Sequence, residues 1–409
     1  MLHIADPAER RLVAAADAVI RAVTVLRRRR SAQPAAGLRR VLVLRLERIG
    51  DLMMSLPALH ALGTLAPHAS IDLVTGSWNA PLARLIPGIG RVETLDANWL
   101  SRGDGGRGMA ALMQHARGWR PRRYDLAINL EGDIRSNLLL ALSGAARTAG
   151  FGMAGGGALL DDDVAFDPAA HTATNGVRLV TAAVGGAWID PVPRPGSARE
   201  VASALPRDPL ALPDSARAGA SALLAAAAGK AGPLVGIQVG AGRAIKEWPA
   251  ARMAGAANRL AAAFGATIVL TGARADRAAA DAIRTGLAPS VSVIDLVGQP
   301  DLVTLAAVMS RLDLLITPDT GPMHLAAVLD TPLVAIFGPS SPERWGPLSS
   351  RCRIVRVDLW CSPCNRIRRP PERCVGHTPD CLEAIQVDDV VRAAADLLAR
   401  ARPPAGGPA

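Results

Sequence analysis

The sequence predicts an α/β protein built from two doubly wound domains. Three observations carry this. Short apolar runs alternate with stretches of helical periodicity, the rhythm of a parallel sheet with crossover helices. The alternation lapses in a proline-rich segment, residues 189–213 (IDPVPRPGSAREVASALPRDPLALP), and then restarts. The chain has 409 residues, more than one core ordinarily organises.

Taken in order, residues 7–30 read as one helix, with Asp6 as its cap and Pro7 at the first helical position. Leu12, Ala16, Val19, Val23 and Leu26 fall near one face of it. Its basic end, Arg27 to Arg30, suits an anionic membrane surface; a helix packed on the body with a solvated arginine cluster is the other reading. Strands are then expected at residues 41–46, 71–75, 92–95 and 126–130, with helical stretches at 52–65, 80–85, 109–119 and 134–143. After the junction, strands are expected at 234–239, 267–271, 293–296, 314–317 and 333–337. Helices are expected between them at 250–263, 275–285, 302–310 and 322–329. Residues 387–401 read as a terminal amphipathic helix, followed by a frayed PPAGGPA tail. The expected division is therefore 1–37 (basic helical extension), 38–200, 201–386, and 387–409 (helix and tail). Two such domains facing each other make a cleft, and ligands bind at the carboxyl ends of parallel strands.

Composition narrows the function classes. Formal net charge is +10, which favours nucleic acid, anionic membrane or phosphorylated substrates. Aromatic residues make up only 3%, which argues against a base-stacking nucleic-acid binder, and no nucleic-acid module is recognisable. All five cysteines lie between Cys352 and Cys381, an odd number that suits reduced thiols in the cytoplasm. The first residues carry early acids and no apolar core, unlike a secretory signal. The longest run free of Asp, Glu, Lys and Arg, Leu52 to Ile71, contains Pro57, Gly63 and Pro67 and is no membrane span. The expectation is a cytoplasmic protein, soluble or peripheral on the inner face of the membrane.

Four stretches carry chemistry. In ITPDTGPMHLAAVL a strand ends at Thr317, Asp319-Thr320-Gly321 makes the turn, and Pro322 opens a helix whose free N–H groups suit a phosphate. Asp319 itself suits sugar hydroxyls; a capped turn with no ligand is the alternative. In GIQVGAGRAIKEWP, Gly240 and Gly242 keep a loop small after a strand, and Lys246 is placed to reach a diphosphate with Arg243 beside it. Ile245 breaks the dinucleotide-binding glycine pattern and no phosphate-loop lysine follows, so an NAD enzyme or P-loop ATPase is disfavoured. Trp248 reads as a packing anchor. Cys361 and Cys364, with Cys374 and Cys381, offer four thiolates to a structural zinc; free thiols in a tied-down loop are the other reading. In RLERIGDLMMSLPALHAL, Asp51 sits where a strand hands over to a helix. There it either stabilises the helix N-terminus or acts as a general base.

Four blocks, in order, resemble glycosyltransferase family 9, the ADP-heptose:lipopolysaccharide heptosyltransferases: VLVLRLERIGDLMMSLPALHAL, YDLAINLEGDIRSNLLLAL, GIQVGAGRAIKEWPAARMAGAANRL, and the long block from DLVGQPDLVTL to ERWGP. The cysteine loop, CSPCN then CLEAI, resembles the family too. The resemblance implies the GT-B architecture and an inverting sugar transfer with no required catalytic metal. It implies Asp51 as base, Lys246 on the leaving diphosphate, Asp319 on sugar hydroxyls, Thr320 and Gly321 in the diphosphate turn, and His324 following it. It places Arg135 toward an acidic acceptor. The chain departs from the family at Glu47 and Arg48, where serines are usual, and near Ala241 and Gly242. These departures touch the acceptor side and the phosphate loop. The expected activity is transfer of a heptose or related sugar from a nucleoside-diphosphate sugar such as ADP-heptose to a lipopolysaccharide-core, lipid-linked or other cell-envelope glycan. The alternative is a non-catalytic nucleotide-sugar or polyanion binder on the same fold.

Overall fold

The computed structural model describes residues 6–24, 37–100, 105–185 and 205–401. The chain forms two compact units, Met1–Pro209 and Leu210–Ala409.

The first unit holds six strands: β1 (Arg40–Arg45), β2 (Ser70–Thr75), β3 (Ile89–Thr94), β4 (Leu126–Asn129), β5 (Arg147–Gly150) and β6 (Asp162–Asp163). All pair in parallel, in the order β3-β2-β1-β4-β5-β6. β1 is buried from its second residue onward, and that is why it reads as an unbroken apolar run: helices cover both faces of its sheet. On one face Leu42, Leu44, Val74, Leu112, Trp119 and Leu139 share a core. Helices Leu56–Leu65 and Thr172–Ala183 pack against each other, and Gly176 lets Ala58 come close.

The second unit repeats the plan with β7 (Leu234–Gln238), β8 (Thr267–Thr271), β9 (Val293–Asp295), β10 (Leu314–Pro318), β11 (Leu333–Ile336) and β12 (Cys352–Val355). Its order, β12-β11-β10-β7-β8-β9, is the first sheet's order with each strand's counterpart six places on. Val235, Ile237, Leu260, Leu270, Ile316 and Ile336 lie at the centre of its core. The terminal helix Val387–Ala401 packs on helix Ala250–Phe264 and on β10, β11 and β12. Trp248 is buried and donates its indole N–H to Ile385 O at 3.3 Å, so it is the packing anchor the sequence suggests.

Two elements bear on the extent of the sequence reading. Helix Pro7–Thr24 begins as expected, with Asp6 Oδ1 accepting from Glu9 N at 2.7 Å; residues 25–30 of the expected helix lie outside the described residues. The helix expected at 52–65 begins at Ile49 and divides at Ser55 into Ile49–Met54 and Leu56–Leu65. Ser55 Oγ bonds back to Asp51 O at 2.8 Å and Pro57 opens the second segment, which breaks the regular ladder. Among the described residues, no helix is long and apolar enough to cross a membrane.

Candidate functional site

In a doubly wound sheet the crossovers from the first-formed strand and its neighbour leave to opposite sides. The crevice between those two carboxyl ends is where ligands bind. In the first unit these strands are β1 and β4; in the second they are β7 and β10. The sequence-expected residues fall at these two places.

After β1, the loop Leu46–Arg48 leads into helix Ile49–Met54, and Asp51 is its third residue. Asp51 Oδ2 accepts from Arg48 N at 3.1 Å, and Oδ1 lies 3.5 Å from Arg45 Nη2. The Asp51 side chain stays 26% exposed, so it meets solvent while being held from two sides. Arg45 is buried at the end of β1 and ties the site together. It donates to Asp51 O at 3.1 Å and to Leu130 O at 2.9 Å, and it lies 3.3 Å from Glu47 Oε2. Across the crevice, after β4, the buried Glu131 accepts from Leu46 N and, at 3.0 Å, from Glu47 N. Burial pushes the Glu131 carboxyl up to about 7, against the pull of Arg45 and of the two amides.

Glu47 and Arg48 are anchored from outside this loop. Glu47 O accepts from Trp78 Nε1 at 2.7 Å and from Asn79 Nδ2 at 2.9 Å. The Arg48 guanidinium lies over the Trp78 ring, 5.0 Å from its centroid, and donates to Leu100 O. Arg135 forms a two-point bond to Asp133, at 2.8 and 2.7 Å, and lies 4.6 Å from the Trp99 ring centroid. Asp133 raises the Arg135 pKa, chiefly through this hydrogen bond. Arg48 and Arg135 thus converge on the dipeptide Trp99-Leu100, beside the two strand ends that hold Asp51 and Glu131.

In the second unit, Lys246 and Asp319 meet across the equivalent crevice. Lys246 Nζ donates to Asp319 Oδ2 at 2.7 Å and to Asp319 O at 3.2 Å. Ser340 Oγ donates to the same Oδ2, so one oxygen of a buried carboxylate is doubly held. Thr320 is the N-cap of helix Gly321–Val328, with Pro322 in its first turn, and the helix opens at the carboxyl end of β10. Gly240 lies hard against the turn after β8: a Cβ there would press on the Asp276 carboxylate, which would have to shift to admit it. Gly242 and Arg243 are exposed on the following loop. Among the described residues the Arg243 side chain joins no hydrogen bond or ion pair with the Lys246–Asp319 group, and His324 is buried in its helix behind the turn. The structure therefore brings Lys246 and Asp319 together beside Thr320 and Gly321.

Cys361, Cys364, Cys374 and Cys381, the set offered to zinc or to a tied-down loop of free thiols, border one small cavity. All five cysteines are free thiols, and among the described residues no group of three or more His, Cys, Asp or Glu side chains is arranged to hold a metal ion. Burial, and then the charge of the other three cysteines, pushes the Cys381 thiol up to about 11, which keeps it neutral at ordinary pH.

Arg45, Glu131 and Ser340 were not singled out in the sequence. Arg45 and Glu131 carry one recoverable signal: each is a charged residue at or just past the end of a mainly apolar strand run, VLVLR and LAINLE.

Two Rossmann-like α/β units, each with a polar cluster at its crevice, define the GT-B class of fold. The chain belongs to glycosyltransferase family 9 (heptosyltransferase), whose family model matches residues 112–374, and it is a glycosyltransferase. Lipopolysaccharide heptosyltransferase 2 of Salmonella typhimurium is 29% identical over 325 residues, covering 78% of this chain and 88% of that protein. The Escherichia coli K12 protein of the same name is 27% identical over 322 residues, with the same coverage. Among solved structures, E. coli ADP-heptose LPS heptosyltransferase II superposes with a TM-score of 0.68 at 23% identity, covering 88% of this chain and 99% of that one. The family 9 glycosyl transferase of Veillonella parvula gives 0.73 at 23% identity, covering 90% and 99%.

Proposed function

We propose that the protein moves a heptose or closely related sugar from a nucleoside-diphosphate sugar to a lipopolysaccharide-core or similar cell-envelope glycan, with inversion at the anomeric carbon. The single observation that carries this is the pairing of chemistries at the two crevices: a half-open carboxylate at Asp51, and a lysine–carboxylate–helix-terminus group at Lys246, Asp319 and Thr320-Gly321. The names of the similar proteins supply the sugar and the acceptor class.

In this reading the acceptor hydroxyl gives its proton to Asp51 Oδ1. Its oxygen forms a bond to the anomeric carbon from the face opposite the diphosphate. The bond from that carbon to the diphosphate oxygen breaks, and the nucleoside diphosphate leaves with the electron pair. Lys246 and the N–H groups of helix Gly321–Val328 offset the charge that develops on the leaving oxygens. Asp319 Oδ2 is occupied by Lys246 and Ser340, so Oδ1 is the atom turned to sugar hydroxyls. Arg48 and Arg135 hold the acidic acceptor on its own unit.

The test is nucleoside diphosphate release with a panel of ADP-, GDP- and UDP-sugars, together with the anomeric configuration of the product by NMR. Asp51→Asn should lose at least about a hundredfold in kcat, the scale of a general base. Lys246→Ala should fall with it. Two variants that both turn over like the parent with its best donor would refute the mechanism.

A further inference from the structure

Helix Pro7–Thr24 docks on the first unit by a face other than its most apolar one. Val13 sits against Gly155, and the buried Asp17 accepts from Gly156 N at 2.7 Å; Gly155 and Gly156 have φ of +89° and +75°, a conformation that suits glycine. Val13, Asp17, Ile20 and Thr24 form this docking face, at i, i+4, i+7 and i+11. The apolar stripe, Leu12, Ala16, Val19 and Val23, is turned about 100° away around the helix. It is left outside: Leu12 is 72%, Val19 64% and Val23 79% exposed. Three large apolar side chains at this exposure on one stripe are costly in water.

Arg11 borders one flank of the stripe; Arg10 and Arg21 lie on the far side of the helix, Arg21 paired with Asp17 at 2.8 Å. Arg10, Arg11 and Arg21 are exposed on the same helix, and the sequence continues with Arg27, Arg28, Arg29 and Arg30. An exposed apolar stripe bordered by Arg11, on a strongly basic helix, is complementary to the surface of an anionic bilayer, which takes the stripe among its acyl chains and Arg11 among its headgroups. The helix also starts beside the acceptor-side residues: the Glu9 carboxylate acts electrostatically on the Arg135 guanidinium, and Ile134, the residue before Arg135, packs against Gly155 and Gly156.

We infer that helix Pro7–Thr24 is an in-plane anchor that lays its Leu12, Val19 and Val23 stripe on an anionic phospholipid surface, so that the Arg135 end of the first unit faces the bilayer. The surface is read from the helix itself. Its bearing on catalysis, presenting the crevice of Asp51 to a lipid-borne acceptor, rests on the proposed function.

The experiment is flotation of the purified full chain with vesicles of phosphatidylcholine, alone or mixed with phosphatidylglycerol, which requires no turnover. The parent should float with the mixed vesicles and much less with the neutral ones. Leu12→Gln, Val19→Gln and Val23→Gln combined should abolish flotation; glutamine is a good helix former and none of these residues touches the docking face, so the far-UV circular dichroism and Tm should be retained. Arg11→Gln should weaken binding to mixed vesicles by about fivefold. Arg217→Gln, a charge removed from the second unit, should not matter. A parent that fails to float with mixed vesicles overturns the inference, as does a triple variant that floats like the parent. So does a parent dimer that the triple variant converts to monomer, since the stripe would then be covered by a second copy. Donor-panel turnover in detergent, measured in parallel, reports on the proposed function separately.

Discussion

Replacing Glu131 by glutamine should remove a specific pH dependence from the stability of the first unit. Glu131 is buried, and its carboxyl titrates at about 7 in the fold against 4.5 in the open chain. At 1.36 kcal/mol per pH unit, that gap is worth about 3 kcal/mol. Between pH 4.5 and 7 the folded carboxyl keeps its proton while the unfolded one has released it. Folding then takes up a proton, so stability falls as pH rises through this window, and the term is flat above and below it. A glutamine in its place has no proton to lose, and its amide oxygen can still accept from the Leu46 and Glu47 N–H groups. Urea unfolding followed by tryptophan fluorescence, with Trp78, Trp99 and Trp119 all in the first unit, reads the difference. Glu131→Gln should gain about 3 kcal/mol on the parent between pH 4.5 and 7.5. Curves that stay parallel across that range would show that Glu131 is ionised in the fold and that the argument from its burial is wrong.

Other outcomes follow from the same contacts. Arg45→Met should destabilise the protein by about 3 kcal/mol above pH 7, where Glu131 loses its proton and would be left as a buried unpaired charge, and by less below pH 6; the same unfolding series checks it. Ser340→Ala removes one of the two donors on Asp319 Oδ2 and should raise the donor KM by about tenfold with a smaller change in kcat, read in the nucleoside diphosphate release assay. Gly232→Ala would put a Cβ 1.8 Å from Gly265 O, a backbone atom that cannot swing aside, and should cost on the order of 1–3 kcal/mol, visible as a lowered Tm.

What could be read in the sequence follows from where each signal is written. β1, β7 and β10 are legible because strands buried on both faces must be apolar throughout. β5 (RTAG), β6 (DD) and β12 (CRIV) lack that mark: they are short, lie toward or at sheet edges, and mix polar residues into the run. Asp51, Lys246 and Asp319 are legible because each lies in the short connection or first helical turn that follows a strongly apolar strand. Their supports are not, because the contacts are non-local. Glu131 reaches Leu46 across 85 positions of sequence, and Asp17 reaches Gly156 across 139. The N-terminal helix shows the limit most plainly. Its apolar stripe is correctly located, but periodicity alone does not reveal that a buried aspartate and two glycines, and not the stripe, form the contact with the body.

The first turn of helix Ile49–Met54 has a consequence for product outcome. Asp51 Oδ2 is engaged by the Arg48 amide and Oδ1 lies 3.5 Å from Arg45 Nη2; in the proposed mechanism Oδ1 is the oxygen that takes the proton. A glycan offers several hydroxyls of nearly equal acidity, so basicity cannot choose among them. A carboxylate held from two sides, and so fixed in direction before any ligand arrives, would accept a proton along one line only. The position at which the new glycosidic bond forms would then be set by the bearing of a single lone pair, and a residue that turned Asp51 over, exchanging the two oxygens, would alter the linkage before it altered the sugar.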